Sequence, residues 1–561
     1  MSTLETERMR LRTAADEEFY SPAANQLVLL ARTPELYRNL AYDLRREGYF
    51  LVTLVANDEH ELADNCFKLY AVFSHPSIDL FVTLMLPLGR GTATFPSLAH
   101  LFAAATPFEC EIAERFGLTS SSDVPAPPCF RHPTYPADLA PLRRASSTAG
   151  IRAALSRQAS PFTEEADLAP LAPGELDLPI GPIHAGVIEP GHFRFRIAGE
   201  VVEQLDARLG YAHKGVERLF QINYTLRDGW KLAERIVGDS AFAHSLAYCR
   251  ALESLTAAEV PRPAQLLRAL FLELERLYNH MGDCAALAHD VALDLPAAEM
   301  AAPREALLRL NQDLSGHRLL RGLNRPGGIV LPESFNPDRV RSPVGQAVAR
   351  FLPVARFLLT DPGFRNRLMN IGMIARPMAE QIGATGLVAR ASGLERDWRR
   401  LHPVDAERLP ELRDLWNAGL PDEDVYVVEE RTAGDAFARY ATRVAEVAAS
   451  ARIVERLLDL WENAWLDEEF CAVVNLRPVS NYRFGLGYAE GWRGPVVYWL
   501  MKDKFERIYR CKVCDPSCLN WPALKAASEP HTDESRRFEI LLADFPIVNK
   551  SFNLSYAGND L

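Results

Sequence analysis

The chain has 561 residues, 48% hydrophobic and 24% charged, the balance of a folded protein with a large core and room for two or three domains. Its formal net charge is −12 and its basic residues are interspersed with acidic ones, which leaves no cationic stripe for nucleic acid. The N-terminus has no apolar signal-peptide core, and runs such as LFVTLMLPLG (80–89) fall short of the roughly 18 residues that cross a bilayer, so a peripheral protein without a transmembrane segment is expected.

The nine cysteines lie mostly in apolar settings, as Cys66 and Cys249 do, and read as reduced thiols. In chain order, PELYRNLAYDLRREGY repeats apolar residues at helical spacing, while YFLVTLVAN and IDLFVTLMLPL read as strands, so residues 1–143 form a small α/β domain. A helix is expected over 95–118, with Pro107 in its first turn and Gly117 as its stop. Residues 144–177, rich in Ala, Ser and Pro, read as a linker with one short helix. From 178 to 561 the pattern predicts a strand hairpin in HFRFRIAGEVVEQLDARLGY (192–211), then long amphipathic helices at 263–293 and 436–464. The fold class is therefore α+β, an α/β domain followed by a mainly helical bundle with a small sheet.

Three places attract chemistry. RIVGDSAFAHSLAY (235–248) reads as one helix in which a buried Asp239 would need a partner, from Arg235 or a basic residue of GLERDWRR, or a water-filled cavity. In HKGVERL, His213 and Glu217 are four apart and would share a helical face, as a proton relay, a buried polar cluster or a surface pair. RCKVCDPSC places Cys511, Cys514 and Cys518 at a spacing that can supply three metal ligands, with Asp515 or His531 as a fourth. If IYRCKVC is a strand, however, Cys511 and Cys514 face opposite sides and pack as thiols. His244 reads as a helix-packing residue. A P-loop, GxGxxG after a strand, HExxH and a four-cysteine cluster motif are all missing from the sequence.

The segments GPIHAGVIEPGHFRF (181–195), GYAHKGVERLF (210–220), RIVGDSAFAHSLAYCRALE (235–253), ELERLYNHMGD (273–283), EGWRG (490–494) and DFPIVNKSFNLSYAGNDL (544–561) resemble, in order, the large subunits of membrane-bound, energy-converting nickel-iron hydrogenases and their homologue, the 49-kDa-type subunit of respiratory complex I. Residues 30–143 resemble the 30-kDa-type subunit of complex I, a fusion familiar from the formate hydrogenlyase type. In the hydrogenases two CxxC pairs supply four thiolates that hold the metals and bridge them. Here Val237, Ser240, Ser555 and Gly558 stand in those places. Valine and glycine offer no donor and neutral serine hydroxyls are poor donors for nickel or iron, so no nickel-iron centre is expected.

The resemblance implies an oxidoreductase of the NADH-dehydrogenase and hydrogenase type, NAD-linked by family, in which this chain binds no cofactor itself. It implies a small iron-sulfur subunit whose 4Fe-4S cluster faces a cavity formed by 184–194, 237–245 and the C-terminus. Membrane-anchor and antiporter-like ion-translocating subunits would be further partners, on the cytoplasmic side of the membrane. In complex I the vacated cavity takes a quinone headgroup between a histidine and a tyrosine; His192 matches the histidine, whereas the tyrosine aligns near Gly238. Glu217 matches the glutamate that moves protons in the hydrogenases. The resemblance thus assigns His192, Glu217 and Asp239 as catalytic and His184, His213, Gly238, Ser240, His244, Ser555 and Gly558 as cavity lining. A non-catalytic scaffold joining redox and membrane modules is the alternative.

Overall fold

A computed structural model of the chain describes residues 3–561, apart from 15–17, 90, 123–130, 132–134, 137, 158–170, 185–187, 333–334, 404–410, 412–413, 417–427, 462–468 and 534–535. The N-terminal part is a five-stranded mixed sheet built from Glu18–Tyr20, Gln26–Leu30, Phe81–Pro87, Phe67–Ser74 and Phe50–Asp58 in that spatial order. Only the Gln26–Leu30/Phe81–Pro87 pair is parallel; helix Pro34–Arg46 follows the first of these strands and carries the chain to Phe50–Asp58 at the far edge of the sheet. The helix expected over 95–118 is shorter: it spans Thr106–Phe116, with Pro107 in its first turn and Gly117 in the left-handed conformation as its stop. A strand residue pair and a 3₁₀ turn at Ala103–Ala105 occupy the beginning of that segment.

The short helix in the linker is Thr148–Arg157, while 158–170 of the linker lie outside the described residues. The hairpin forms from His192–Ala198 and Val201–Arg208, joined by Glu175–Ile180 into a three-stranded antiparallel sheet. The long helices are Arg262–Asp290, Asp294–Ser315, Asp338–Thr360 and Ala436–Asp459. The chain is α+β, and among the described residues no helix is long and apolar enough to cross a membrane.

One further sheet, Phe484–Glu490, Pro495–Lys502 and Ile508–Cys514, joins the two halves. It is buried on both faces, and its period of two sorts its side chains between two cores. Tyr498, Leu500, Cys511 and Val513 enter the helical core. Val497, Trp499, Met501 and Cys514 enter the core of the N-terminal sheet. Helix Ala241–Thr256 lies directly on this sheet because Gly487 has no side chain: a Cβ there would stand 2.3 Å from the Ala247 carbonyl oxygen.

Candidate functional site

The segment 237–240 is not part of the α-helix. Val237 is extended, Gly238–Ser240 form a 3₁₀ turn, and the helix begins at Ala241. The turn is held at the Asp239 carbonyl oxygen, which accepts from Asn279 Nδ2 at 2.7 Å and Trp492 Nε1 at 3.1 Å. The first N–H groups of the helix, from Phe242 and Ala243, point at the Glu275 carboxylate at 2.8 and 3.1 Å, which satisfies donors that every helix start leaves open. Burial nevertheless pushes the Glu275 carboxyl up to about 8.

The partner of Asp239 is neither Arg235 nor a residue of GLERDWRR but Arg493 of EGWRG. Arg493 Nη1 and Nη2 donate to Asp239 Oδ1 and Oδ2 at 2.6 and 2.8 Å, a two-pronged pair. The same guanidinium reaches Ser240 Oγ and the Asn553 carbonyl oxygen at 3.4 and 2.5 Å and stacks on Trp492. Its side chain is 6% exposed against 38% for Asp239, so the pair joins the interior to the surface. Arg235 turns back to the Lys231 carbonyl and Arg399 is engaged by Glu273 and Asp397, which leaves neither for Asp239. Gly238 is exposed, and a Cβ built there meets nothing within 4 Å.

The other two ligand places lie at the helix Tyr556–Asp560. Ser555 caps it, its Oγ accepting from the Gly558 N–H at 2.9 Å, while its own N–H donates to Ser517 Oγ at 3.0 Å. Gly558 packs against Asp515: a Cβ would lie 2.6 Å from the Asp515 carboxyl carbon. Asp515 caps the helix Pro516–Ser528, accepting from the Ser517 N–H at 2.8 Å, and lies 3.1 Å from His244 Nε2. Tyr498 Oη lies 3.0 Å from His244 Nδ1. His244 is thus the middle of a buried hydrogen-bonded chain rather than a mere packing residue. Burial opposes the charge on Asp515, but His244, Arg493 and the Ser517 N–H outweigh it and hold the carboxyl below its ordinary range. The sequence signal for Asp515 was its place before Pro516 at a strand-to-helix turn, a capping position.

This donor set does not fit nickel and iron. Val237 and Gly558 carry no donor, Ser555 Oγ is committed to a cap, and a guanidinium stands beside Ser240. The cysteines do not compensate: the strand sends Cys511 into the helical core and Cys514, with Cys518, into the N-terminal core, so the three do not converge. Among the described residues no group of three or more His, Cys, Asp or Glu is placed to hold a metal ion.

His192 is buried at the start of its strand, opposite Arg208. His184 Nε2 lies 2.7 Å from the Gly191 carbonyl oxygen, and Glu189 accepts the N–H groups of Tyr556 and Ala557 at 3.0 Å each. The 184–194 segment is thereby tied to the C-terminal helix; residues 185–187 lie outside the described set.

His213 and Glu217 do not share a helical face, because the helix starts only at Val216, with Gly215 in a left-handed cap. They meet instead at the rim of a cavity of about 50 Å³, with Glu111, Arg115 and Asp560. Glu217 is gripped by Arg510 Nη1 at 2.7 Å, Lys512 Nζ at 3.2 Å and the Val513 N–H at 3.1 Å, and Lys512 also pairs with Glu111 of the N-terminal part. Burial raises the Glu217 carboxyl, but the two cations overcome it and hold it at about 2. Burial and Arg115 push the His213 imidazole down to about 4. At neutral pH Glu217 is therefore ionised and His213 neutral.

Residues 290–475 match the family described as respiratory-chain NADH dehydrogenase, 49 Kd subunit. Formate hydrogenlyase subunit 5 of Escherichia coli (strain K12) is 27% identical over 531 residues, covering 94% of this chain and 87% of the relative. Hydrogenase-4 component G of the same organism is 26% identical, over 97% of this chain and 89% of the relative. An NADH-quinone oxidoreductase subunit of Dehalococcoides mccartyi is 30% identical over 369 residues, 62% of this chain and 90% of the relative. With this identity across nine-tenths of that relative, the chain belongs to the family of the 49 Kd subunit of respiratory-chain NADH dehydrogenase.

Proposed function

We propose that the chain is the core subunit of a membrane-associated oxidoreductase complex that couples electron transfer to ion translocation and works without a nickel-iron centre. The observation that carries this reading is the Asp239–Arg493 pair, which occupies the turn where the hydrogenases would hold thiolates within an otherwise retained frame. The relatives' names, one a formate hydrogenlyase component and the other a component of an NADH-quinone oxidoreductase, support such a setting. On this reading electrons arrive through the 4Fe-4S cluster of a small partner subunit, and membrane-anchor and antiporter-like subunits hold the assembly on the cytoplasmic face. Residues 1–143 take the part of the 30-kDa-type subunit.

A quinone is the proposed acceptor, with His192 at its headgroup. Reduction to the quinol takes two electrons and two protons, so a group that delivers a proton as charge develops accelerates the step. In the assembled complex from native membranes, His192→Ala is expected to lower quinone-dependent turnover by about 100-fold, the usual weight of a positioned acid-base group, with no nickel in the preparation. Turnover unchanged by that substitution in a fully assembled complex would overturn the quinone reading. It would leave the scaffold reading.

Gly238 offers a gain-of-function counterpart. Because a side chain there has open space, Gly238→Tyr is expected to leave folding intact and to lower the KM for quinone about five-fold, the worth of one added hydrogen bond of about 1 kcal/mol. An unchanged KM in the folded variant would place the headgroup elsewhere.

A further inference from the structure

Between helices Arg262–Asp290 and Ala436–Asp459 and the end of strand Phe484–Glu490 lies a buried ionic network that the site above does not use. It contains the carboxylates Glu273, Asp397, Glu446 and Glu490 and the guanidiniums Arg276, Arg390 and Arg399, every one of them buried or nearly so. The negative groups outnumber the positive by one. His280 does not restore the balance. Its Nε2 lies 2.9 Å from Glu446 Oε2, whereas its buried Nδ1 has no hydrogen-bond partner among the described residues. An imidazolium would place an N–H there with no acceptor, so the ring is neutral and donates through Nε2.

Neighbouring charges are committed elsewhere: Arg443 to Asp283 and Arg493 to Asp239, while Glu275 faces the start of helix Ala241–Thr256. Arg431, half-buried on Val428–Arg431, is near enough to feel the charge of Glu446 but makes no direct ion pair with the network among the described residues. An unbalanced charge in such a place is costly.

The members are not equally served. Glu446 receives Arg276, Arg390 and His280. Glu273 receives Arg399, Ser450 and, more distantly, Arg276; Asp397 receives both prongs of Arg399 and that residue's backbone N–H. Glu490 has Arg390 Nη1 at 2.8 Å, a nitrogen that also donates to the Arg396 carbonyl oxygen while Nε of the same guanidinium serves Glu446, and a long contact of 3.4 Å from the Trp398 N–H.

We propose that Glu490 is a buried proton-storage site, its carboxylate binding one exchangeable proton from solvent and carrying the network between one net negative charge and none. Burial, with Arg390 opposing and Asp397 adding, drives its carboxyl up to about 7, in keeping with this placement. Glu490 and Arg493 belong to one short segment containing Gly491 and Gly494, so the proton load sits three residues from the grip on Asp239. The inference goes beyond the redox reading and stands whether or not quinone is the acceptor.

Infrared difference spectra of the full chain across pH 7 test it. The expected result is a carboxylic C=O band that is present on the acid side, lost on the alkaline side and shifted in heavy water. Glu490→Gln is expected to remove the band and one proton per chain from the uptake measured over the same step. Glu490→Asp is expected to shift the band; Glu275, whose own carboxyl is pushed up to about 8, contributes a separate component that Glu275→Gln removes while the Glu490 component stays. A band and proton count unchanged in Glu490→Gln overturn the proposal. Should that variant not fold, a wild-type spectrum with no carboxylic band titrating across pH 7 overturns it equally.

Discussion

Glu217→Gln is expected to lower the unfolding free energy at neutral pH by about 3 kcal/mol, at the low end of the range for breaking a buried ion pair. Lys512 keeps Glu111 as a partner after the substitution, whereas Arg510 is left with backbone carbonyls and the Phe116 ring and no carboxylate. Acid should reveal the same term in the wild type. A carboxyl held at about 2 when folded and at its ordinary 4.5 when unfolded contributes stability that is full above 4.5 and is lost as pH falls toward 2. Denaturant unfolding at neutral and acid pH checks both statements: the variant should be weaker at neutrality and lack that part of the acid loss. A variant as stable as wild type at neutral pH would dismiss the clamp, and the proton-carrying role implied for Glu217 by resemblance would gain.

Arg399→Met is expected to cost more, about 4–5 kcal/mol at neutral pH, because two buried carboxylates lose their main cation at once. Arg399 Nη1 donates to Glu273 at 3.0 Å and Nη2 to Asp397 at 2.6 Å. The pH dependence should reverse sign. In the wild type, burial is outweighed by Arg399 and its fellow cations, and both carboxyls are depressed, so their contribution is lost as pH falls. Without Arg399 burial dominates, the folded pKa values rise, and protonation becomes the cheaper state, so the variant gains stability toward mild acid. Melting temperatures on either side of neutrality decide the matter, and a variant that weakens in acid as the wild type does contradicts the account.

Most of the architecture was legible because it is written in periodicity. The strands at 50–58 and 81–87, the hairpin from His192 and the two long helices follow from patterns of two and of three to four. What could not be read was long-range pairing of charge. Nothing local separates Arg493 from Arg235 as a partner for Asp239, since the first approaches across 254 positions of chain and the second lies four residues away. The helical period also misled at both ends of short segments. It carried His213 and Asp239 into helices that begin only at Val216 and Ala241, after a left-handed cap at Gly215 and a 3₁₀ turn at Gly238–Ser240. Asp515 shows the converse: its capping position was local and readable, but its contact with Gly558 and His244 was not.

That contact bears on which single substitutions are open to this protein over descent. Position 558 can accept no side chain, thiol or otherwise, while Asp515 stands where it does. Asp515 in turn cannot be surrendered cheaply, for it supports His244 and the start of a helix. A lineage acquiring cysteines at the four places would have to change Asp515 first, at a loss of stability and with no thiolate site yet to reward it. The packing of one glycine against one carboxylate thus acts as a ratchet against a side chain at position 558.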